Sequence, residues 1–131
     1  MDIVDLDGRK FRWQMKRGKV KKPSSLHLDV YSLIREIYPS DILIEEITIP
    51  LKRGEKVFGD IYIPSKRKLV EIHGEQHYKY NTFFYSSKLE FLKAQKRDRD
   101  KKEWCEINDI QYIELPFNKK EEWSDLIRGI S

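Results

Sequence analysis

The sequence predicts an α/β domain with a central mixed β-sheet flanked by helices. Three short runs are rich in β-branched and aromatic residues and are bounded by turn residues, as strands are: residues 42–49, 57–63 and 68–73. Two longer stretches, residues 25–38 and 87–107, begin near serine caps and space their side chains as helices do. The second leads into an apolar run at residues 110–115, and a helical crossover of this kind joins parallel strands.

Composition points to one domain outside the membrane. The 131 residues are expected to form a basic hairpin or arm (1–24), a core (25–117) and a C-terminal helix (118–131). Hydrophobic residues make up 39% of the chain, and no apolar run approaches the roughly 18 residues of a membrane span. A signal-peptide pattern is absent, and the single cysteine, Cys105, excludes an internal disulfide or a multi-cysteine zinc site. We therefore expect a cytoplasmic protein.

The first residues predict a hairpin. Residues 2–15 alternate around Asp7-Gly8, which is a type I′ turn signal. Phe11 and Trp13 fall on one face, and we expect them to cover one side of the core.

Residues 9–22 hold eight basic side chains and no acidic one. Because the net charge is +4, removing these eight leaves the rest of the chain at −4. A basic segment beside an acidic site suits an enzyme that acts on a polyanion, and the alternative is a solvated basic arm. The candidate DNA contacts in this segment are Arg12, Lys16, Arg17, Lys19, Lys21 and Lys22.

The helix at residues 25–38 is expected to begin at a cap provided by Ser24 or Ser25 and to end before Pro39. The following strand breaks its alternation at Glu45-Glu46, which indicates a bulge or an edge position. One of these two acids could face the active site, and the alternative is a charged edge strand that resists self-association.

The central hairpin brings two acids together. Closing its loop at residues 64–67 pairs Ile63 with Lys68, Tyr62 with Leu69, Asp60 with Glu71, and Phe58 with His73. Directly opposed side chains lie about 4.5–5.5 Å apart, and like charges there are destabilising. A divalent cation is the usual reason for such a pair, and carboxylate oxygens suit Mg²⁺ or Mn²⁺. Gly59 beside Asp60 indicates that a ligand or another backbone approaches there.

The helix at residues 87–107 alternates in charge along much of its length, which is typical of a solvated face. One stripe nevertheless sets Asp98 and Lys101 among small and apolar residues, so its middle is expected to face a polar site. Lys96 and Arg97 are the candidate phosphate contacts on this helix.

The motifs Gly59-Asp60 and Glu71-Ile72-His73 resemble those of the PD-(D/E)XK nuclease superfamily, with glycine in place of its proline and histidine in place of its lysine. Further features are similar to its very short patch repair endonuclease branch: His73-Gly74, His77, the aromatic residues of 78–85, the charged residues 96–100 and the closing strand 111–115. The resemblance covers about residues 25–117.

The resemblance implies a restriction-endonuclease-like fold and a metal-dependent DNA endonuclease that nicks or cuts duplex DNA. Asp60, Glu71 and the Ile72 carbonyl would hold Mg²⁺ or Mn²⁺. His73 would activate water, and His77 would protonate the leaving oxygen or contact phosphate. Glu36 would be the acid that the first helix contributes.

Two other functions fit the same residues. One is a structure-selective nuclease such as a Holliday junction resolvase, acting as a homodimer with two sites. The other is a nucleic-acid-binding module of the same fold whose nuclease site is inactive.

Overall fold

The computed structural model describes residues 1–18, 22–74 and 85–129. In these residues the chain is an α/β domain with a four-stranded mixed sheet, flanking helices and a small antiparallel hairpin. The predicted fold class is confirmed at this level. Within the same ranges, every helix is too short or too polar to cross a bilayer.

The N-terminal hairpin pairs β1 (Asp2–Val4) with β2 (Lys10–Arg12). The predicted type I′ turn is wrong, because that turn needs positive φ at both central residues, and Gly8 (φ +84°) has it while Asp7 does not. The loop is instead organised by Asp5, whose Oδ1 accepts hydrogen bonds from the amides of Asp7 at 3.0 Å and Arg9 at 2.9 Å.

Trp13 anchors the N-terminal segment to the core, as predicted. It is buried against Tyr62 and Trp104, and its Nε1 donates to the Thr48 carbonyl at 2.9 Å. The residues that follow add to the outer edge of the sheet, where the Thr48 amide donates to the Lys16 carbonyl at 2.8 Å. The basic arm is therefore fixed to the sheet at this point.

Helix α1 (Ser25–Ile37) begins at Ser24, whose Oγ accepts from the His27 amide, and it ends at Tyr38, as predicted. The described sheet has the order β3-β4-β5-β6, antiparallel except between β5 and β6. The strands are β3 (Ile44–Lys52), β4 (Glu55–Ile63), β5 (Lys68–His73) and β6 (Gln111–Pro116).

Helix α2 (Lys88–Ile107) crosses between β5 and β6, and the chain closes with α3 (Trp123–Arg128). Apolar side chains fill both faces of the sheet. Trp13, Leu69 and Trp104 share the cluster on the α2 side, while Val30 and Trp123 belong to the cluster beneath α1 and α3.

The alternation of β3 changes phase at Glu46, as the sequence predicted near Glu45-Glu46. Ile44 and Ile47 both face the α2-side cluster although they are three residues apart. Glu46 has a left-handed φ of +51°, which accounts for the change without a shift in the pairing with β4. The strand is also an edge of the described sheet.

Candidate metal and phosphate site

Asp60 and Glu71 meet where the ladder between β4 and β5 stops. The strands pair as far as Ile61 and Val70, in the predicted register. One position further, the Asp60 amide donates to Glu71 Oε2 at 2.9 Å, and the Ile72 amide donates to Asp60 Oδ2 at 2.7 Å. Carboxylate oxygens thus replace carbonyls of the ladder, and the structure brings the two predicted acids together.

The expected pairing of Phe58 with His73 is wrong. In the described strands, the β4–β5 ladder does not extend to these residues. The Phe58 carbonyl instead accepts a hydrogen bond from Lys101 Nζ at 2.9 Å. The strands separate here because side chains from β5 and α2 satisfy the backbone groups that a longer ladder would have used.

Asp60 and Glu71 are withdrawn from water, Asp60 partly and Glu71 almost completely. Glu71 is 3% exposed. Burial, followed by the neighbouring charge of Glu71 and a hydrogen bond between the two side chains, raises the pKa of Asp60 well above its ordinary 3.8. Two close carboxyl groups in a site of low polarity favour retention of a proton, and a bound cation removes that preference.

Lys101 on α2 supplies one positive charge to this pair. Its Nζ donates to Glu71 Oε1, and its side chain is only 11% exposed. Burial lowers the pKa of Lys101, but the carboxylates of Glu71 and Asp60 outweigh burial, so the pKa stands above its ordinary 10.5. Sequence reasoning did not select Lys101 as a site residue, although its place in an otherwise small and apolar stripe was the signal.

A second group of donors lies on the α1 side of Asp60. His27, Glu46 and Asp60 each offer one ligand atom, and these atoms all lie within 4.8 Å of one another. Glu45 does not belong to this group, but its Oε1 lies 2.8 Å from His27 Nε2, as an acceptor for the ring N–H does. Of the two acids left open by the sequence, Glu46 therefore joins the site and Glu45 supports it.

These residues line a cleft of about 810 Å³ between α1 and the sheet. Two basic residues of the N-terminal arm, Arg17 and Lys22, lie on the cleft beside the acids. Arg17 is half exposed and its Nη2 lies 3.6 Å from Glu45 Oε2. A cleft with carboxylates at its base and cations on its wall is suited to a metal ion and a phosphate group.

His73 lines the cleft but is engaged by β6. Its Nδ1 contacts Glu114 Oε1, and its Nε2 lies 3.3 Å from the Tyr112 hydroxyl. Burial, followed by the charge of nearby acids, raises the pKa of Tyr112, so this hydroxyl stays protonated. Both ring nitrogens of His73 therefore have partners, which disfavours the expected role as the group that activates water.

Glu36 does not reach the site. It is exposed on α1 and is not one of the described residues that line the cleft. The N-terminal turn of α1 faces the acids, and Glu36 follows His27 by nine residues, which is about 13 Å along a helix. His27 is the residue of α1 that belongs to the group of candidate metal ligands, and the sequence analysis did not select it.

Of the predicted phosphate contacts within the described residues, Arg17 and Lys22 line the cleft and the others do not. Lys96 and Arg97 are exposed on α2, away from the described lining of the cleft, and Lys96 Nζ binds Asp100 Oδ2 at 2.7 Å. Arg12 and Lys16 are exposed outside the cleft. His77, Lys19, Lys21 and the aromatic residues 78–84 lie outside the described residues.

Comparison with known proteins gives two viral relatives and no function. "Uncharacterized protein 307L" of Invertebrate iridescent virus 6 is 37% identical over 62 residues, which are 47% of this chain and 32% of that protein. "Uncharacterized protein 033L" of Invertebrate iridescent virus 3 is 36% identical over 67 residues, which are 51% of this chain and 34% of that protein. The matched part thus spans about a third of the length of these relatives. No family model matches the chain, and no solved structure matches it.

Proposed function

We propose that the chain is a metal-dependent DNA endonuclease of the PD-(D/E)XK superfamily with a restriction-endonuclease-like core. The observation that supports it most is the Asp60–Glu71 pair at the break between β4 and β5, with the buried Lys101 bound to Glu71. The resemblance rests on an acid on one strand and an acid followed by a basic residue on the next, where the superfamily usually has a lysine. Here the lysine comes from α2 and not from the position of His73.

The donors fit a hard divalent cation. Asp60, Glu71 and the Ile72 carbonyl would hold Mg²⁺ or Mn²⁺, since these ions prefer oxygen ligands. The raised pKa of Asp60 supports this fit, because the pair is stabilised by added positive charge. When bound, such an ion polarises the scissile phosphate and lowers the pKa of a bound water.

Lys101 orients the acid and holds a donor toward the cleft. Its ammonium group has three N–H donors, and in the described residues Glu71 and the Phe58 carbonyl accept from it. One N–H is left for an attacking water or a phosphate oxygen. The hydrogen bond from Lys101 also fixes the orientation of the Glu71 carboxylate.

Arg17 and Lys22 bind the DNA backbone in this proposal. Both lie on the cleft wall beside the acids, and contacts to phosphate fix the position of a duplex without reading its sequence. The proposed substrate is therefore duplex or branched DNA whose phosphate enters between the arm and α1.

The test is cleavage of supercoiled plasmid with Mg²⁺, with Mn²⁺ or with EDTA. We expect metal-dependent nicked or linear product from the native protein and a loss of at least about 10²-fold in Asp60→Asn and Glu71→Gln. Glu55→Gln, at the start of the same strand β4 as Asp60, is the matched control and should cleave normally. Cleavage that survives both substitutions would refute the assignment of the site.

The same assay separates the alternatives. Preference for a four-way junction over linear duplex would indicate a junction resolvase, and linear product formed without a nicked intermediate would indicate a homodimer that cuts both strands. A gel shift without cleavage under every metal would indicate a binding module whose nuclease site is inactive.

A further inference from the structure

We infer that His27, Glu46 and Asp60 form a second cation position beside the Asp60–Glu71 pair and that this position makes the centre prefer Mn²⁺ to Mg²⁺. The inference deepens the proposed function, on which its catalytic meaning rests, although metal binding itself is testable without DNA. The starting observation is the set of three ligand atoms, one from each residue, that all lie within 4.8 Å of one another.

His27 is held as a metal ligand is usually held. It sits in the first turn of α1, where its amide donates to the Ser24 Oγ cap at 3.1 Å, and the residue is 8% exposed. Its Nε2 lies 2.8 Å from Glu45 Oε1. When Nε2 donates its N–H to this carboxylate, Nδ1 is the ring nitrogen that can bind a metal. A histidine that gives one N–H to a carboxylate and keeps the other nitrogen for a metal is the common arrangement.

Glu46 is placed by an unusual backbone. Its φ of +51° lies in the left-handed region, which non-glycine residues seldom adopt. The arm holds this conformation, since the Gly18 amide donates to the Glu46 carbonyl at 2.6 Å. The arm approaches closely here, since a Cβ at Gly18 would lie 2.4 Å from Phe58 Cε1 and 3.0 Å from the Glu46 carbonyl oxygen. Strained backbone of this kind is typical of sites where a side chain must be aimed, and Glu46 lines the cleft.

The donor types favour one of the two expected ions. Mg²⁺ is bound through oxygen and keeps several of its waters, whereas imidazole suits transition metals. A position made of one imidazole nitrogen and two carboxylates therefore binds Mn²⁺ more tightly than Mg²⁺. The Asp60 side chain belongs to this group and is also hydrogen-bonded to the Glu71 side chain, so one carboxyl group links the two positions.

The first test is isothermal titration of the metal-free protein with MnCl₂ and with MgCl₂. We expect the native protein to bind Mn²⁺ more tightly than Mg²⁺. We expect His27→Gln to weaken Mn²⁺ binding by at least about tenfold while Mg²⁺ binding changes by less than about twofold. Glu36→Gln, an exposed acid on the same helix, is the matched control and should bind both ions normally. Equal Mn²⁺ affinity in His27→Gln and the native protein would overturn the inference.

The second test needs no variant to detect the ligand. Pulsed electron paramagnetic resonance of Mn²⁺-loaded native protein should report coupling to an imidazole nitrogen, and ¹⁵N-histidine labelling should change the coupling. Its persistence in folded His27→Gln would overturn the inference, as would its absence from the native protein. Neither measurement uses DNA. A failure of the proposed second metal position can therefore be distinguished from a failure of the proposed nuclease function.

Glu45→Gln tests the support of His27. Loss of the carboxylate partner should weaken Mn²⁺ binding by about 10–100-fold, the range for groups that orient a ligating histidine. Thermal unfolding in EDTA, unchanged from the native protein, would assign that loss to the metal position. Unchanged Mn²⁺ affinity would contradict the role of Glu45 in orienting His27.

Discussion

Lys101 Nζ donates a hydrogen bond to Glu71 Oε1 and so joins the middle of α2 to the sheet at the acid pair. Both side chains are almost fully buried, at 11% and 4% exposed. A buried ion pair contributes little net stability, but removal of one partner leaves an uncompensated charge, which is costly. The pair thus fixes α2 against the site and ties the fold to the proposed chemistry.

Lys101→Met should lower the free energy of unfolding by about 3–5 kcal/mol, because Glu71 would stay buried without its cation. Cleavage should fall by at least about 10²-fold. Urea unfolding in EDTA and the plasmid assay measure the two effects.

The double variant Lys101→Met/Glu71→Gln separates these effects. With no charge left unpaired, its stability should recover at least half of the loss, while cleavage should remain absent. A double variant as unstable as Lys101→Met would show that packing, and not the unpaired carboxylate, causes the destabilisation.

Asp60→Asn should stabilise the metal-free protein by about 1 kcal/mol at neutral pH. The raised pKa of Asp60 means that its charged form is disfavoured in the folded state. The free energy of unfolding in EDTA therefore falls as pH rises above the ordinary value of 3.8 toward the folded pKa. Asparagine does not ionise, so it removes this loss of stability. The amide can still accept from the Ile72 amide and donate to Glu71.

Thermal unfolding of both proteins with EDTA and with Mn²⁺ checks this expectation. Mn²⁺ should raise the unfolding temperature of the native protein and leave Asp60→Asn nearly unchanged. An equal increase in both would place the metal elsewhere.

Asp5 should make the protein more stable at neutral than at acidic pH. Burial raises the pKa of Asp5, but hydrogen bonds from the amide and side chain of Arg9 and from the Asp7 amide lower it below its ordinary 3.8. An acid with a lowered folded pKa stabilises the fold above its unfolded pKa, and that contribution is lost as pH falls through the folded value.

Asp5→Asn should therefore reduce stability at neutral pH. It should also make stability fall less steeply as the pH is lowered from about 5 to about 2. Thermal unfolding across this range is the measurement, and Asp2→Asn in the same hairpin is the control. If the stability of Asp5→Asn and of the native protein fell equally steeply with decreasing pH, the role of Asp5 would be contradicted.

Arg17 and Lys22 should dominate binding to DNA. Arg17→Ala/Lys22→Ala should weaken duplex binding and reduce the slope of log affinity against log salt by about 2, since each phosphate contact contributes about 1. The matched pair Lys96→Ala/Arg97→Ala on α2 should change binding little, because those residues lie outside the described lining of the cleft.

Fluorescence anisotropy with metal-free protein at several salt concentrations measures both slopes. A larger loss of DNA affinity in Lys96→Ala/Arg97→Ala than in Arg17→Ala/Lys22→Ala would show that DNA binds along α2 and not along the arm.

The sequence predicted the elements that depend on neighbouring residues. The helix cap at Ser24 depends on a hydrogen bond to a residue three positions along the chain. The irregularity at Glu46 shows in the sequence as an interruption of the alternating apolar pattern of β3. The meeting of Asp60 and Glu71 follows from the short loop that sets the register of one hairpin. Gly59 shows the limit of this reasoning, because the space beside it is filled by core side chains and not by a ligand.

What only the tertiary structure decided is which distant side chains join that pair. His27 comes from α1 and Lys101 from α2, and each is about 30 residues from the nearer acid of the pair, Asp60 or Glu71 respectively. Helical periodicity predicts which face of a helix packs on the sheet, but not which end of the helix lies near the site. The sequence analysis therefore named Glu36, near the C-terminal end of α1, and not His27 in its first turn. The packing of both helices on the two faces of the sheet fixes that choice, because it sets the position of every turn relative to the break between β4 and β5.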